Sequence, residues 1–533
     1  MLRSAINRTC PINKLPPEML TRCFLYLGTD FPLTLGPPED GSENEWIRVA
    51  QVCKYWRAVV LGFPRLWDRV GFTRPEILDM YRGHSGTLLL EVCLQHVGHK
   101  FHQMMEPDPY VDLMLGMLYD LGSRIRRLII HKKWIPFQGQ CKFLEESLPE
   151  LEMLAVTSDV GWENGSIDQP LTRLRTLFDG KLPKLRRLFI PESTPWPYND
   201  FKNLKLLCLY NQSTLENELP ELLQMLRGSP TIEELYIRQR EYSDRMESPP
   251  SNLGPAFQAH SLKKFRLHDF SVEATVCILS TMQLQPNGVA VYLSDTVMDA
   301  DIFAQIFPLF PAECTLGNTE KLEVYHDSRE LFGIIFCGTG GSFKIGGCLS
   351  CHGEEDGTEA AISLLGYIYK ECAQTLKELW IHNYDDDGEC YIFDNFSCFN
   401  LEKLVLVERA GDASDRLCEV LEPLDPHDVP APQLQSLTIR GINKQPQLER
   451  LIALCERRSK TGHPIQKLSV CGQDGLPEWM TRLCGLSSTR IHIESWKKWD
   501  GQLMELPIVC KEDTDIWWPT WKEPIDEFSQ NGS

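Results

Sequence analysis

Leu185-Arg186-Arg187-Leu188-Phe189-Ile190, Leu204-Lys205-Leu206-Leu207-Cys208-Leu209 and Ile232-Glu233-Glu234-Leu235-Tyr236-Ile237 spell one phrase three times: apolar, two variable residues, Leu, one variable residue, apolar. The same phrase starts at Ile125, Leu151, Leu262, Leu376, Leu401, Leu434 and Ile465, with Phe265 standing for the central Leu in one copy. Alternation inside the phrase describes a short strand with one buried face. Successive starts lie 26, 34, 19, 28, 30, 114, 25, 33 and 31 residues apart. The long gap is about four periods of such a repeat. Weaker alternations at Val291/Leu293, Leu322/Val324 and Phe343/Ile345 are candidates to fill it.

Between the strands lie helical stripes. Leu215, Leu219, Leu222, Leu223 and Leu226 form one, Ala360, Leu364, Leu365 and Ile368 a second, and Leu448, Leu451, Ile452 and Cys455 a third. Strand then helix, repeated at this spacing, resembles the leucine-rich-repeat family. The expected fold class is α/β, with an irregular leucine-rich-repeat-like β/α solenoid over residues 76–490. One or two doubly wound α/β domains are the alternative. The ninth positions, where the family places Asn or Cys, hold Lys133, Asp159, Ser193, Gln212, Arg240, Phe270, Tyr384, Arg409, Ile442 and Gln473. The ladder that Asn makes between turns is therefore not expected, and the array should be irregular. If the strands stack in parallel, Glu234, Tyr236 and Arg238, then Lys264, Arg266 and His268, then Glu378, Trp380 and His382 line one outward face. Aromatic and Arg groups with mixed charge suit a face that binds a target protein.

The N-terminal residues read differently. Pro16 and Pro17 stand where a helix's first turn tolerates proline, and Glu18 follows in the favoured acidic turn. Met19, Leu20, Cys23, Phe24 and Leu27 then recur as one apolar helical face. Gly28 to Glu45 is a loop that holds Gly28, Gly36, Pro37, Pro38 and Gly41 and ends acidic. A second helical stripe starts at Trp46 with Val49, Val52, Cys53, Trp56 and Val59/Val60, and Gly62-Phe63-Pro64 ends it.

Leu15-Pro16-x-Glu18-x-Leu20, Val52-Cys53-Lys54-x-Trp56 and Pro64-x-Leu66-Trp67 together resemble the F-box, over roughly residues 12–70. The Gly28–Glu45 connection is longer than that family's. The resemblance implies an all-α F-box at residues 1–75 that binds the Skp adaptor and, through it, a cullin. The residues expected at that contact are Leu15, Pro16, Glu18, Leu20, Val52, Cys53, Trp56, Leu66 and Trp67. The implied role is the substrate-recognition subunit of a Skp–cullin–F-box ubiquitin ligase, a receptor rather than an enzyme. The alternative is a repeat-based protein-interaction scaffold with a degenerate F-box and no ubiquitin role.

The remaining features narrow the field. The chain has 533 residues, 54 Lys and Arg against 74 Asp and Glu, and a net charge of −20. That balance argues against nucleic-acid binding and against docking on an anionic membrane. No run reaches the ~18 apolar residues of a membrane span, and the first residues lack a signal peptide's apolar run. Cysteine numbers 19, an odd count at irregular spacing. Free thiols in a reducing cytoplasm or nucleus fit that usage.

Cofactors are not expected. Cys348-Leu349-Ser350-Cys351-His352 has a haem-attachment spacing, but Gly346 and Gly347 before it read as a loop. Asn383 to Gly388 has the look of a calcium loop without its closing Glu. Gly338 to Ser342 is glycine-rich without the Lys of a phosphate loop. Residues 491–533 hold Trp496, Trp499, Trp517, Trp518 and Trp521 in an acidic setting. They are expected to cap the last repeat or to bind a partner.

Overall fold

The computed structural model describes residues 9–27, 45–70, 75–94, 116, 119–131, 147–157, 178–191, 199, 201–212, 219–239, 253–285, 288–294, 300–310, 316–327, 331–338, 341–348, 356–383, 399–408, 413–423, 429–442, 444–472, 491–495 and 504. Two compact units result, one built on Met1–Asp244 and the other on Arg245–Glu512. This division groups the N-terminal helices with the first repeats.

Unit one begins with helices α1 (Pro17–Leu27), α2 (Glu45–Arg48), α3 (Lys54–Gly62) and α4 (Pro75–His84). Seven strands pair in chain order and in parallel: β1 (Arg69–Val70), β2 (Leu90–Leu94), β3 (Ile125–His131), β4 (Met153–Thr157), β5 (Arg187–Pro191), β6 (Leu206–Gln212) and β7 (Glu234–Gln239). The central Leu of the phrase is the register mark. Leu128, Leu154, Leu188, Leu207 and Leu235 stand opposite one another across β3 to β7, and each is at most 2% exposed. Just before each strand the phrase's first apolar residue closes a turn, as in Leu185 N–H to Leu182 O and Leu204 N–H to Phe201 O. Helix α5 (Leu219–Arg227) buries Leu219, Leu222, Leu223 and Leu226 of the stripe read from the sequence, whose Leu215 lies outside the described residues.

Unit two carries β8 (Phe257–Ala259) and β10 (Met282–Leu284) as a separate parallel pair. Its main strands are β9 (Lys264–His268), β11 (Ala290–Ser294), β12 (Thr319–Asp327), β13 (Leu331–Gly338), β14 (Ser342–Cys348), β15 (Glu378–Asn383), β16 (Lys403–Glu408), β17 (Ser436–Ile442), β18 (Lys467–Gly472) and β19 (Ile491–Ser495). Helices α6 (Val272–Thr281), α7 (Ala300–Ile306), α8 (Asp356–Cys372), α9 (Ala413–Leu421) and α10 (Gln445–Lys460) lie between them in sequence. From β15 to β19 each strand pairs in parallel with the next, and Leu379, Leu404, Leu437 and Leu468 keep the central-Leu register.

The 114-residue gap holds all three of the weaker alternations as strands, but not as consecutive repeats. The spatial order is β9-β11-β14-β13-β12-β15, with β13 antiparallel to both of its neighbours. One strand, β13, therefore runs backwards inside an otherwise parallel ladder. Gly338 and Gly341, on either side of residues 339–340, meet where β13 ends and β14 begins, and Gly338 N–H donates to Gly341 O at 3.1 Å.

One expectation is corrected. Tyr236, Arg266, His268, Trp380 and His382 do sit on the strand positions that alternate with the phrase's Leu and Ile, but they are buried, at 0–8% exposure. Of the nine residues named on this face, Glu234, Arg238, Lys264 and Glu378 are half-buried. The reason is composition. The same face carries Cys93, Ile129, Met153 and Ala155 packed with Phe189 in unit one, and Ile335, Cys337, Val405 and Val407 in unit two. Parallel strands apolar on both sides must be covered on both sides. In β16 the run Leu404-Val405-Leu406-Val407 already shows this. The one described residue beyond β19, Met504, packs with β13, β15 and β16 rather than on an end strand. The Trp residues of the C-terminal stretch, Cys351 and His352, and the acidic run after Asn383 lie outside the described residues. The eleven cysteines whose side chains are described are all unbridged.

Candidate docking surface

The N-terminal helices are assembled by a few long-range polar ties around a small core. Helix α1 starts with Pro17, and Thr21 Oγ1 donates to Pro17 O at 2.8 Å. Leu20, 0% exposed, and Phe24, 2% exposed, form its inner stripe. Helix α3 is capped by Cys53, whose Sγ accepts from Trp56 N–H at 3.4 Å, and it buries Val59 and Val60. The two helices meet where the Phe24 and Trp56 rings lie 5.1 Å apart, tilted by 54°.

The 3-10 turn Pro11–Lys14 is tied to the first turn of α3. Trp56 Nε1 donates to Asn13 Oδ1 at 2.5 Å, and the Tyr55 hydroxyl donates to Leu15 O at 2.8 Å. These bonds join residues some forty positions apart in sequence and set Ile12 to Pro16 beside the segment that carries Val52.

The sequence candidates then divide into three groups. Pro16, Glu18 and Val52 are exposed. Leu15, Cys53 and Trp56 are half-buried, and Trp56 spends its indole N–H on Asn13. Leu20, Leu66 and Trp67 are buried, so their expected adaptor contact is corrected to a structural role. Trp67 shows why. Its Nε1 donates to Val60 O at 2.8 Å, and its ring is packed edge-on against Tyr81 and beside His84 of α4.

Helix α1 also divides what the sequence presents as one apolar face. Leu20 and Phe24 point inward, while Met19, Cys23 and Tyr26, the neighbouring stripe at steps of four and three, are exposed. Among the described residues six large apolar side chains are exposed: Ile12, Met19, Tyr26, Val52, Tyr119 and Phe399. Four of the six belong to this small helical region. Such a concentration makes this region the candidate interaction surface among the described residues. Ile12, Met19, Cys23 and Tyr26 were not among the sequence candidates. The signal that finds them is the 3.6-residue period itself, since two stripes about 100° apart on a helix cannot both face one core.

The region is joined firmly to the first strands of the ladder. β1, directly after the Pro64–Trp67 turn, pairs with β2, with Arg69 opposite Glu91 and Val70 opposite Val92. Glu91 is held by Arg126 at 2.7 Å, Arg69 at 3.4 Å and Arg127 at 3.5 Å. Burial raises the pKa of Asp68 at this junction above the usual carboxylate value, and the nearby Glu91 charge adds to the shift.

Among the described residues no group of three or more His, Cys, Asp or Glu side chains is placed to hold a metal ion, and no helix is long and apolar enough to cross a membrane. A comparison with curated proteins finds no match. Residues 12–73 match the family model of the F-box-like domain, a span that takes in the 3-10 turn, α1, α2, α3, the Pro64–Trp67 turn and β1. The chain thus carries an F-box-like domain over residues 12–73, on which Ile12, Met19, Tyr26 and Val52 are exposed.

Proposed function

We propose that the protein is a substrate receptor of a Skp–cullin–F-box ubiquitin ligase. The observation that carries this reading is the F-box-like domain at residues 12–73 with Ile12, Met19, Tyr26 and Val52 exposed on it. Those side chains offer an apolar patch to a groove on the Skp adaptor, with Pro16 and Glu18 beside them. A cullin is then reached through the adaptor. The long strand-and-helix region after the domain binds a target protein and brings it near the ubiquitin-loaded conjugating enzyme. The contribution is proximity and orientation, not catalytic groups. The β1–β2 pairing supports this division of labour, because it hydrogen-bonds the end of the domain to the first strand of the ladder beyond it. The acidic chain works in the cytoplasm or nucleus and uses neither nucleic acid nor membrane as a partner.

The test is reconstitution. The purified full chain is mixed with the Skp adaptor and run on a sizing column. Co-elution as a one-to-one complex is the expected result. Separate elution at micromolar concentrations of both would overturn the proposal and leave a repeat scaffold with a degenerate F-box.

A further inference from the structure

The seam between residues 12–73 and the ladder is short. β1 offers two register pairs, Arg69 with Glu91 and Val70 with Val92. Just before them Glu91 N–H donates to Asp68 O at 2.8 Å. A strand of two residues fixes little by itself. The side chains at the seam decide how firmly the domain is seated.

Glu91 is where those side chains converge. It is nearly buried, with 11% of its side chain exposed, while Arg69, Arg126 and Arg127 are 31–44% exposed. Its Oε1 accepts from Arg126 Nη2 at 2.7 Å and from Arg127 Nη1 at 3.5 Å. Its Oε2 lies 3.4 Å from Arg69 Nε. One carboxylate thus joins a cation of β1 to two cations of β3. Consecutive residues of a regular strand point to opposite faces, so Arg126 and Arg127 would not ordinarily meet the same group. The register explains why they do. Leu90 stands opposite Ile125 and Glu91 opposite Arg127, which leaves Arg126 as the extra residue of β3. An inserted residue of this kind re-aims a side chain. The next pairs, Arg127 with Met153 and Met153 with Arg187, run on without a shift. Arg124, at the end of the 3-10 turn before β3, holds the chain that leads from α4 into β2, donating through Nη2 to Ser85 Oγ at 2.8 Å and Leu88 O at 2.9 Å.

We infer that Glu91 is a positioning residue: it sets the orientation of the F-box-like domain on the ladder through Arg69, and the doubled Arg126 and Arg127 hold its carboxylate in place. Without that carboxylate Arg69 meets Arg126 and Arg127 as like charges, which repel. In a receptor, a fixed orientation determines where a target bound on the ladder lies relative to the adaptor, so proximity becomes a set geometry. That use of the orientation rests on the reading of the chain as a receptor, whereas the clamp itself belongs to the chain alone and is measured without an adaptor.

Hydrogen–deuterium exchange of the full chain reads the seam. Arg69→Gln and Glu91→Gln should each speed exchange in residues 67–70 and 90–93 about tenfold or more, the effect of losing a charge-assisted bond on a local opening. The double variant should be no faster than Glu91→Gln alone, because both changes act through one contact. Arg127→Gln, on the ladder side, should leave residues 67–70 at the parent's rate. Helix α1 and strand β5 should keep the parent's rate in all four. Orientation is read by energy transfer between dyes on unnatural residues at Arg22 of α1 and Gln224 of α5, both exposed. The parent should give one narrow population, and Glu91→Arg, which sets four guanidinium groups together, a broad one. Unchanged exchange at residues 67–70 in Arg69→Gln would overturn the inference, as would additive effects in the double variant or an equal rise in Arg127→Gln. A parallel rise in α1 or β5 would make Glu91 ordinary core, and a population that stays narrow in Glu91→Arg would show that it does not set the orientation. A chain that passes these tests yet fails to bind the adaptor keeps the clamp and loses the receptor reading, so the two failures are told apart.

Discussion

Met19→Ala with Val52→Ala is the perturbation that separates a docking surface from an ordinary helical hairpin. Val52 is 58% exposed and Met19 46% exposed, so both still have about half of their surface to lose to a partner. Fully burying a Val or Met side chain stabilises by ~1.5–3 kcal/mol. Half of that is ~1 kcal/mol at each position. The pair then accounts for ~2 kcal/mol, which is about a thirtyfold weaker Kd for the adaptor. Folding should hardly notice, since exposed substitutions of this kind stay within about 0.5 kcal/mol. Calorimetric titration of the full chain with the Skp adaptor measures the change. Tyr119→Ala and Phe399→Ala provide the control, because these side chains are equally exposed but lie outside residues 12–73. A double variant within threefold of the parent, or an equal loss in the controls, would refute the assignment of the surface.

Three further outcomes rest on the packing. Gly441 lies at φ +109° in the bulge of β17, and a Cβ there would stand 2.0 Å from Glu408 O on β16. Gly441→Ala should destabilise unit two by ~3 kcal/mol or more through strain and strand separation. It should also speed hydrogen exchange at the start of α9, where Glu408 accepts from Ser414 N–H. Native-like exchange at both places would contradict this. Arg458 is buried and donates to Leu421 O at 3.3 Å, Pro430 O at 2.7 Å and Ala431 O at 2.8 Å. Arg458→Met leaves three carbonyls without that donor, and a loss of ~3 kcal/mol in urea unfolding is expected.

The thiols of Cys418 and Cys455 give a pH signature. Burial pushes each from the ordinary thiol value up to about 12, and the Asp415 carboxylate adds to the shift at Cys418. The folded state holds these protons more tightly than the unfolded state. Their contribution is therefore complete below an ordinary thiol pKa and is lost as pH rises from about 9 towards 12. Cys418→Ala with Cys455→Ala should flatten the decline of stability across that window, as read by urea unfolding at each pH. An unchanged slope would refute it.

Much of the strand ladder was legible because its signal is local and repeated. The central Leu of each phrase landed in register from Leu128 to Leu235 and again from Leu379 to Leu468, and three helical stripes fell on α5, α8 and α10. The reversal at β12 to β14 was not legible, since a period of two has no direction. Leu322/Val324 and Phe343/Ile345 read the same whether the strand between them runs forward or back. The glycines between Phe336 and Phe343 were the one hint of a reversal, since Gly338 and Gly341 are the residues that bond where β13 and β14 meet. The second buried face was written in runs such as Leu404 to Val407, but alternation takes notice of only one side of a strand.

At the docking surface the three motifs located the domain and misplaced part of its face. Leu20, Leu66 and Trp67 hold the domain together, while Ile12, Met19 and Tyr26 are the side chains turned outward. Motif residues mark a fold, and the period of α1 alone does not say which of two adjoining apolar stripes meets Trp56. That choice is made by the tertiary ties from Asn13 and Leu15 to α3.

Hydrogen–deuterium exchange of the full chain, alone and with the Skp adaptor, tests the central claim most directly. The account predicts new protection in residues 11–26 and 49–57 on adding adaptor, with β16, β17 and β18 unchanged. Exchange that stays the same across residues 11–57, or protection that appears in those strands instead, would contradict it.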